Sequence, residues 1–400
     1  MSEWKEYRLG DFLKVKHGYA FKGENIVTEE TPNILVTPGN FNIGGGFKSD
    51  KFKYYKGDEF PKEYILTSGD IVVTMTDLSK DSDTLGYSAK IPYSTTHNYL
   101  HNQRIGLVQF VNENVCRDFV YWLMRTREYQ NYIVGSASGT SIMHTSPSRI
   151  EDYRCLIPSS QSEQESIASV LTSIDNKIDL LHRENKTLEA MAETLFRQWF
   201  IEEAKEDWEE KPLSFYGKIV CGKTPPKKES KYFGGETPFI KIPDMHNKTF
   251  VINSEDSLTK EGVLYQKEKI LPPFSIIVSC IATVGLVVLN AKEAQTNQQI
   301  NSIIPYEEEY RYFLYLHLMN MYDDLNAMAS GGTATLNLNT SNFSKIKIAY
   351  PTDDVLCAFN KQVSLLFDKI YNNQQQIQTL IQQRDSLLPK LMNREIIIHG

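Results

Sequence analysis

The chain has 400 residues, of which 41% are hydrophobic and 23% charged, with 43 Lys+Arg against 50 Asp+Glu and a net charge of −7. This length exceeds one ordinary core and predicts two or three domains, while the composition excludes wholesale disorder and a fibrous chain. A net acidic chain is no generic nucleic-acid coat, so the position of the negative charge decides what the chain can bind.

The opening Met-Ser-Glu-Trp-Lys-Glu has no apolar signal segment, and the five cysteines (Cys116, Cys155, Cys221, Cys280, Cys357) are scattered without a Cys-x-x-Cys pair. That pattern fits a reducing cytosol and argues against a disulfide framework or a zinc site. In the first block, Lys48, Lys51, Lys53, Tyr54, Tyr55 and Lys56 form a basic, aromatic loop of the kind that suits phosphate and base contacts. Gly44-Gly45-Gly46 reads as a flexible turn. Tyr64 to Thr76 reads as a turn into a buried strand, and Phe119 to Tyr132 has apolar helical spacing. His97 and His101 are four apart, but residues 95–102 read as loop with no third ligand, which argues against a metal.

A helix follows. Ile167, Leu171, Ile174, Ile178, Leu181, Asn185, Leu188, Ala192, Leu195 and Trp199 are spaced alternately by four and three, a heptad seam with one polar intruder. The segment 161–210 carries a net charge of −8, so the remaining 350 residues are nearly neutral. The next 40 residues, 211–250, carry +5, with Lys223, Lys227, Lys228, Lys231 and Tyr232 in one basic loop.

Gly217-Lys-Ile-Val-Cys-Gly-Lys223-Thr224 satisfies the P-loop pattern, but Pro225-Pro226 follows where a phosphate-facing helix would have to start, so no nucleotide site is expected. Leu271-Pro-Pro-Phe274 resembles the Asn/Asp-Pro-Pro-aromatic turn of amino-methyltransferases. It lacks the Asn or Asp, and it reads as a turn into a strand. Ile276 to Leu289 is too short for a membrane span and reads as a buried hairpin. Tyr310 to Ala329 again has apolar helical spacing. A second seam closes the chain: Phe359, Val363, Leu366, Ile370, Asn373, Ile377, Leu380, Arg384, Leu387 and Leu391. Seam spacing permits homodimerisation through either helix. Two matched seams in one chain favour an intrachain pair, because their effective concentration is very high.

The chain is a duplicate. Trp4, Glu6, Leu9, Lys14, Val15 and Gly18 recur 204 positions later as Trp208, Glu210, Leu213, Lys218, Ile219 and Gly222. Asn102-Gln103-Arg104-Ile105 faces Asn297-Gln298-Gln299-Ile300, Phe119-Val-Tyr121 faces Phe313-Leu-Tyr315, and Gly139-Thr140 faces Gly332-Thr333, in unchanged order. The reading is α+β: two repeated α/β blocks, each followed by a long helix, with no nucleophile–base constellation of diagnostic spacing.

Two α/β blocks each trailed by a long helix resemble the specificity subunit of type I restriction–modification enzymes. The local strings that carry the resemblance are Gly18-Tyr-Ala-Phe-Lys22, Ile34 to Phe41, Met75-Thr-Asp-Leu78 and His101 to Gly106 in the first half. In the second they are Gly222-Lys-Thr-Pro225, Tyr232-Phe-Gly-Gly235 and Thr296 to Gln299, and the helix ends Glu193 to Phe200 and Leu387 to Met392 fit as well. The resemblance implies a first target-recognition domain at 1–158, a central spacer helix at 159–204, a second recognition domain at 205–352 and a C-terminal spacer helix at 353–400. It implies that the helices pair as an antiparallel coiled coil and act as a ruler. The partners would be double-stranded DNA, two methyltransferase subunits that bring S-adenosylmethionine and flip the target adenine, and in a full enzyme a translocating nuclease subunit. No cofactor is expected on this chain, no catalysis and no membrane, and the location would be cytoplasmic. DNA contacts are expected at Lys51, Lys53, Tyr54, Thr76, Arg104 and Ser141, and at Lys223, Thr224, Lys227, Lys228, Lys231, Gln298 and Thr333. The competing reading is a coiled-coil scaffold that binds only proteins.

Overall fold

The computed structural model describes residues 3–57, 59–77, 83–139, 142–330 and 336–396. The chain divides into two compact units, residues 1–177 with 380–400 and residues 178–379. The boundary cuts through both long helices, so each unit holds one α/β block and a matching stretch of each helix.

In the first unit, four antiparallel strands lie in the order Leu13–His17, Ile105–Phe110, Ile71–Thr74, Ser88–Lys90. Every residue of Ile71–Thr74 is buried, as an apolar run covered on both faces requires. A five-stranded sheet beside it runs Ile26–Val27, Lys53–Tyr55, Asn33–Val36, Asn98–His101, Ile65–Leu66, and its third and fourth strands are parallel. Trp4–Arg8 pairs antiparallel with Arg154–Pro158, with Trp4 opposite Pro158, so the chain's start is tied to the strand that feeds the central helix.

The second unit repeats this plan. Gly217–Cys221, Ile300–Pro305, Ile276–Ser279 and Val287–Asn290 lie in the same order, extended by the short strand Phe250–Val251. Phe233–Ile240 runs parallel to Gln295–Thr296, and Glu209–Pro212 pairs antiparallel with Lys347–Tyr350. The sequence repeat is therefore a repeat of strand order and direction. The hairpin expected at Ile276 to Leu289 is present, with Ile276 opposite Leu289.

Three expectations need correcting. The helical stretches after the sheets are each two helices, Arg117–Leu123 with Arg127–Gly135 and Glu309–Asn320 with Tyr322–Ala329. In the first, Thr126 ends one helix and caps the next: its hydroxyl donates to the Leu123 carbonyl (2.8 Å) and accepts from the Tyr129 N–H (3.3 Å). Residues 95–102 are not loop throughout, since Asn98–His101 is a strand in mid-sheet. The heptad seam also drifts: Ala168, Phe196 and Phe367 are fully buried beside the seam positions Ile167, Leu195 and Leu366. An untwisted helix slips about 20° per heptad, and each domain core takes up the flanking residue.

The central helix Gln161–Arg197 has 37 residues and ends in a π turn over Gln198–Glu202; the C-terminal helix Asp353–Met392 has 40. They pair within the chain and antiparallel. In the second unit Asn373 Nδ2 donates to Asn185 Oδ1 (2.9 Å) and to Glu184 Oε2 (2.9 Å), while Trp199 meets Phe359 at 5.9 Å. In the first unit Arg384 Nη1 donates to Asp175 Oδ1 (2.8 Å), and Ile167 and Leu171 share a core with Leu388 and Leu391. Asn185 and Asn373 therefore meet across the seam, while Arg384 pairs with Asp175 beside it, and both contacts fix register.

Candidate nucleic-acid interface

Each domain carries the same construction at the end of its parallel strand pair. Gly18 passes so close to the Asn102 carbonyl that a Cβ would sit 2.2 Å from its oxygen, and Gly222 passes the Asn297 carbonyl with a Cβ position at 2.1 Å. Only glycine permits this approach. The Tyr19 N–H donates to the His101 carbonyl (2.8 Å) and the Lys223 N–H to the Thr296 carbonyl (2.9 Å). The repeat pairing Gly18/Gly222 with Asn102/Asn297 is thus one backbone contact made twice.

Beyond that contact lies a tight turn. Asn102 Oδ1 accepts the Arg104 N–H (3.0 Å), and Asn297 Oδ1 accepts the Gln299 N–H (3.1 Å). Arg104 and Gln298 are exposed at the tips. His101, at the base of the first tip, is fully buried; its Nε2 bonds the Ile105 carbonyl at 2.8 Å, and burial pushes its pKa down to about 4. It is a neutral structural histidine. His97 faces Glu30 (3.0 Å), and among the described residues no group of three or more His, Cys, Asp or Glu is placed to hold a metal.

The lysine loops differ between domains. In the first, Lys51 and Lys53 are exposed, Lys53 opposite Leu35 in the five-stranded sheet that also carries the Asn98–His101 strand. Tyr54 is half-buried, with its ring 6.2 Å from Phe52 and 6.1 Å from His97. In the second, Lys223 Nζ lies 5.4 Å from the Tyr265 ring centre, Tyr265 and Tyr232 are 5.0 Å apart, and Lys231 Nζ lies 5.2 Å from Tyr232. This Lys–Tyr–Tyr–Lys ladder is braced from beneath: buried Gln266 donates to the Lys223 carbonyl (2.8 Å) and the Thr259 hydroxyl to the Lys231 carbonyl (2.6 Å). Tyr265 is 46% exposed. Lys227 and Lys228 are exposed in the turn after Pro226. Among the described residues, none of Lys51, Lys53, Lys223, Lys227, Lys228 and Lys231 forms an ion pair, whereas Lys48 is met by Asp50 at 3.6 Å. Unpaired ammonium groups over tyrosine faces present positive charge and stacking surface together.

Thr76 is only 4% exposed and its hydroxyl is bonded to His144 Nδ1 at 3.1 Å, so it stands inside the domain rather than on its surface. Thr224 Oγ1 donates to Gln298 Oε1 (2.6 Å), joining two expected contacts into one unit. Ser141 and Thr333 lie outside the described residues. Tyr265 sits 42 positions from Lys223, too far for sequence spacing to link them, and the bond from the Gln266 side chain to the Lys223 carbonyl helps bring them together. The P-loop resemblance fails on geometry: Gly217–Cys221 is a strand opposite Asn301 to Pro305, and no helix follows Thr224 before the short turn Ser230–Tyr232. Phe274, at φ +64°, turns the chain into the Ile276–Ser279 strand, with its N–H on the Asn290 carbonyl (2.7 Å).

Comparison with known proteins agrees with this duplicated plan. The family model described as the type I restriction modification DNA specificity domain matches residues 1–190 and again 205–394. The type I restriction enzyme HindI specificity subunit of Haemophilus influenzae is 33% identical, over 99% of this chain and 100% of its own. The MjaIX specificity subunit of Methanocaldococcus jannaschii is 27% identical over 71% of this chain and 70% of its own. In fold, the chain is similar to the crystal structure of a type I restriction–modification S subunit from M. genitalium, with a TM-score of 0.59 at 18% identity, covering 98% of this chain and 96% of that one.

Proposed function

Because the chain belongs to the family of type I restriction–modification DNA specificity subunits, we propose that its two domains each read one half of a split DNA target. In this reading methyl transfer and cleavage belong to methyltransferase and nuclease subunits, which carry their own chemistry and S-adenosylmethionine. This chain binds, orients and measures. The lysine loops hold phosphates and set the protein's place on the duplex, while the exposed turn tips face base edges. The helix pair sets the distance between the two readers, and its acidic half, net −8 over 161–210, faces protein subunits rather than phosphate.

The observation that carries this reading is the duplication of the glycine-locked tip, present once in each domain. A single tip would suit one contiguous site, and two suit a bipartite one. The test is to map methylated bases across the genome of a host with and without this chain. Loss of one bipartite methylated sequence on removal is expected. If no bipartite methylation disappears, the proposal fails.

A further inference from the structure

The two tips are built alike but present different chemistry. In the first domain Arg104 is held by its own backbone on both sides: its N–H is accepted by Asn102 Oδ1 (3.0 Å), and its carbonyl accepts the Met75 N–H (3.0 Å). In the second domain Gln299 is held the same way, by Asn297 Oδ1 (3.1 Å) and the Cys280 N–H (2.8 Å). The Arg104 guanidinium is exposed and, among the described residues, unbonded. The Gln299 carboxamide is half-buried, its Oε1 taken by Asn297 Nδ2 at 3.0 Å. The neighbouring Gln298 is exposed, and the Thr224 hydroxyl bonded to its Oε1 orients the carboxamide. Among the described residues, one lone pair of Oε1 and both Nε2 hydrogens have no further partner, an acceptor and a donor in one plane.

A guanidinium fork matches the O6 and N7 acceptors of guanine, and a carboxamide matches the N6 donor and N7 acceptor of adenine. Lysines offer a point charge without such a pattern, so they position rather than specify. We propose that Arg104 reads a guanine in one half of the target and that Gln298, aimed by Thr224, reads an adenine in the other. This rests on the DNA-reading function above and deepens it to named base readers.

The experiment uses the full chain with its methyltransferase subunits in a host free of other DNA methylation, with modified positions read by single-molecule sequencing. The wild type should show a bipartite sequence that specifies a guanine in one half and an adenine in the other. Arg104→Gln should relax that guanine or convert it to adenine and leave the other half unchanged. Gln298→Arg should do the reverse in the other half, and Thr224→Val should weaken the same adenine position. Discrimination at the affected base should fall about tenfold to a hundredfold.

An unaltered sequence in the Arg104 or Gln298 variants, or both variants relaxing the same half, overturns the proposal. Where a variant loses methylation altogether, binding by the assembled complex to oligonucleotides carrying each of the four bases at that position decides. Lost discrimination with retained overall affinity supports base reading, and a uniform loss for all four overturns it. A wild type that yields no bipartite sequence defeats the reading of the whole protein, which is distinguishable from a bipartite sequence that ignores these residues.

Discussion

Asp175 is the residue whose removal the first unit should feel most. Its carboxylate takes a 2.5 Å bond from Arg125 and a 2.8 Å bond from Arg384, and the side chains of these three residues are 25%, 2% and 16% exposed respectively. Arg125 also donates to the Gly44 carbonyl (2.9 Å) and to the Tyr121 hydroxyl (2.9 Å), and its guanidinium lies 4.3 Å over the Trp122 ring. Gly45, at φ +85°, gives it room, since a Cβ there would fall 2.6 Å from Arg125 Cγ. Asp175→Ala leaves a buried guanidinium without its counter-charge. Breaking such a pair costs about 3–5 kcal/mol; the retained bonds of Arg125 and the second partner of Arg384, Asp385, place the loss near the lower end, about 3 kcal/mol. For a unit of this size that is a fall in Tm of about 6–12 °C. Urea unfolding followed by tryptophan fluorescence measures it, because Trp122 sits directly beneath the network. A double-mutant cycle with Arg384→Leu should return a coupling of about 1–3 kcal/mol. A loss below about 1 kcal/mol for Asp175→Ala, or a coupling indistinguishable from zero, would refute the argument that this carboxylate joins the domain to both helices.

Two further outcomes are expected. Gly222→Ala places a Cβ 2.1 Å from a carbonyl oxygen that cannot move without parting the strands, so stability should fall by about 1–3 kcal/mol and methylation of the target should fall with it; wild-type values on both measures would contradict the close approach. His101 and His317 have pKa values pushed by burial from 6.5 to about 4. The unfolded chain therefore binds their protons first as the pH falls. Their contribution is complete above about 6.5 and is lost between 6.5 and 4, about 3 kcal/mol for each histidine. His317→Phe, placed among Phe196 and Phe313, should flatten part of that slope in denaturant titrations across this range, and an unchanged slope would count against it.

Much of the architecture was legible because it repeats. The offset matches located two copies, and the heptad spacing located both helices and their polar residues, since each of these signals lies along the chain. Two seams of equal length favour an intrachain pair, whereas its antiparallel direction, and so the meeting of Asn185 with Asn373, is implied only by the family resemblance. What escaped was lateral. The Gly44 to Gly46 turn reads as flexible in sequence, yet it is the cradle of Arg125, a contact across 81 positions. Thr76 closes the stretch that reads as a buried strand and is nevertheless expected to contact DNA, but its strand pairing with His144 turns it inward. The break at Thr126 competes with an unbroken apolar period, and the capping hydroxyl wins. The Lys–Tyr ladder depends on Gln266, a residue with no signature of its own. The exposed lysines expected to meet DNA are picked out by charge alone, whereas the clamped backbone of Arg104 is visible only once Met75 is seen to bond it.

In the proposed function the helix pair is the spacer between the two readers, so its length should set the spacing of the target. Inserting one matched heptad into each helix, after Leu181 and before Ile377, lengthens the pair by about 10 Å, equivalent to about three base pairs at 3.4 Å each. The methylated sequence produced by the assembled enzyme should then keep both halves unchanged and gain up to about three unspecified base pairs between them. An unchanged spacer, or altered halves at the original spacing, would contradict the account.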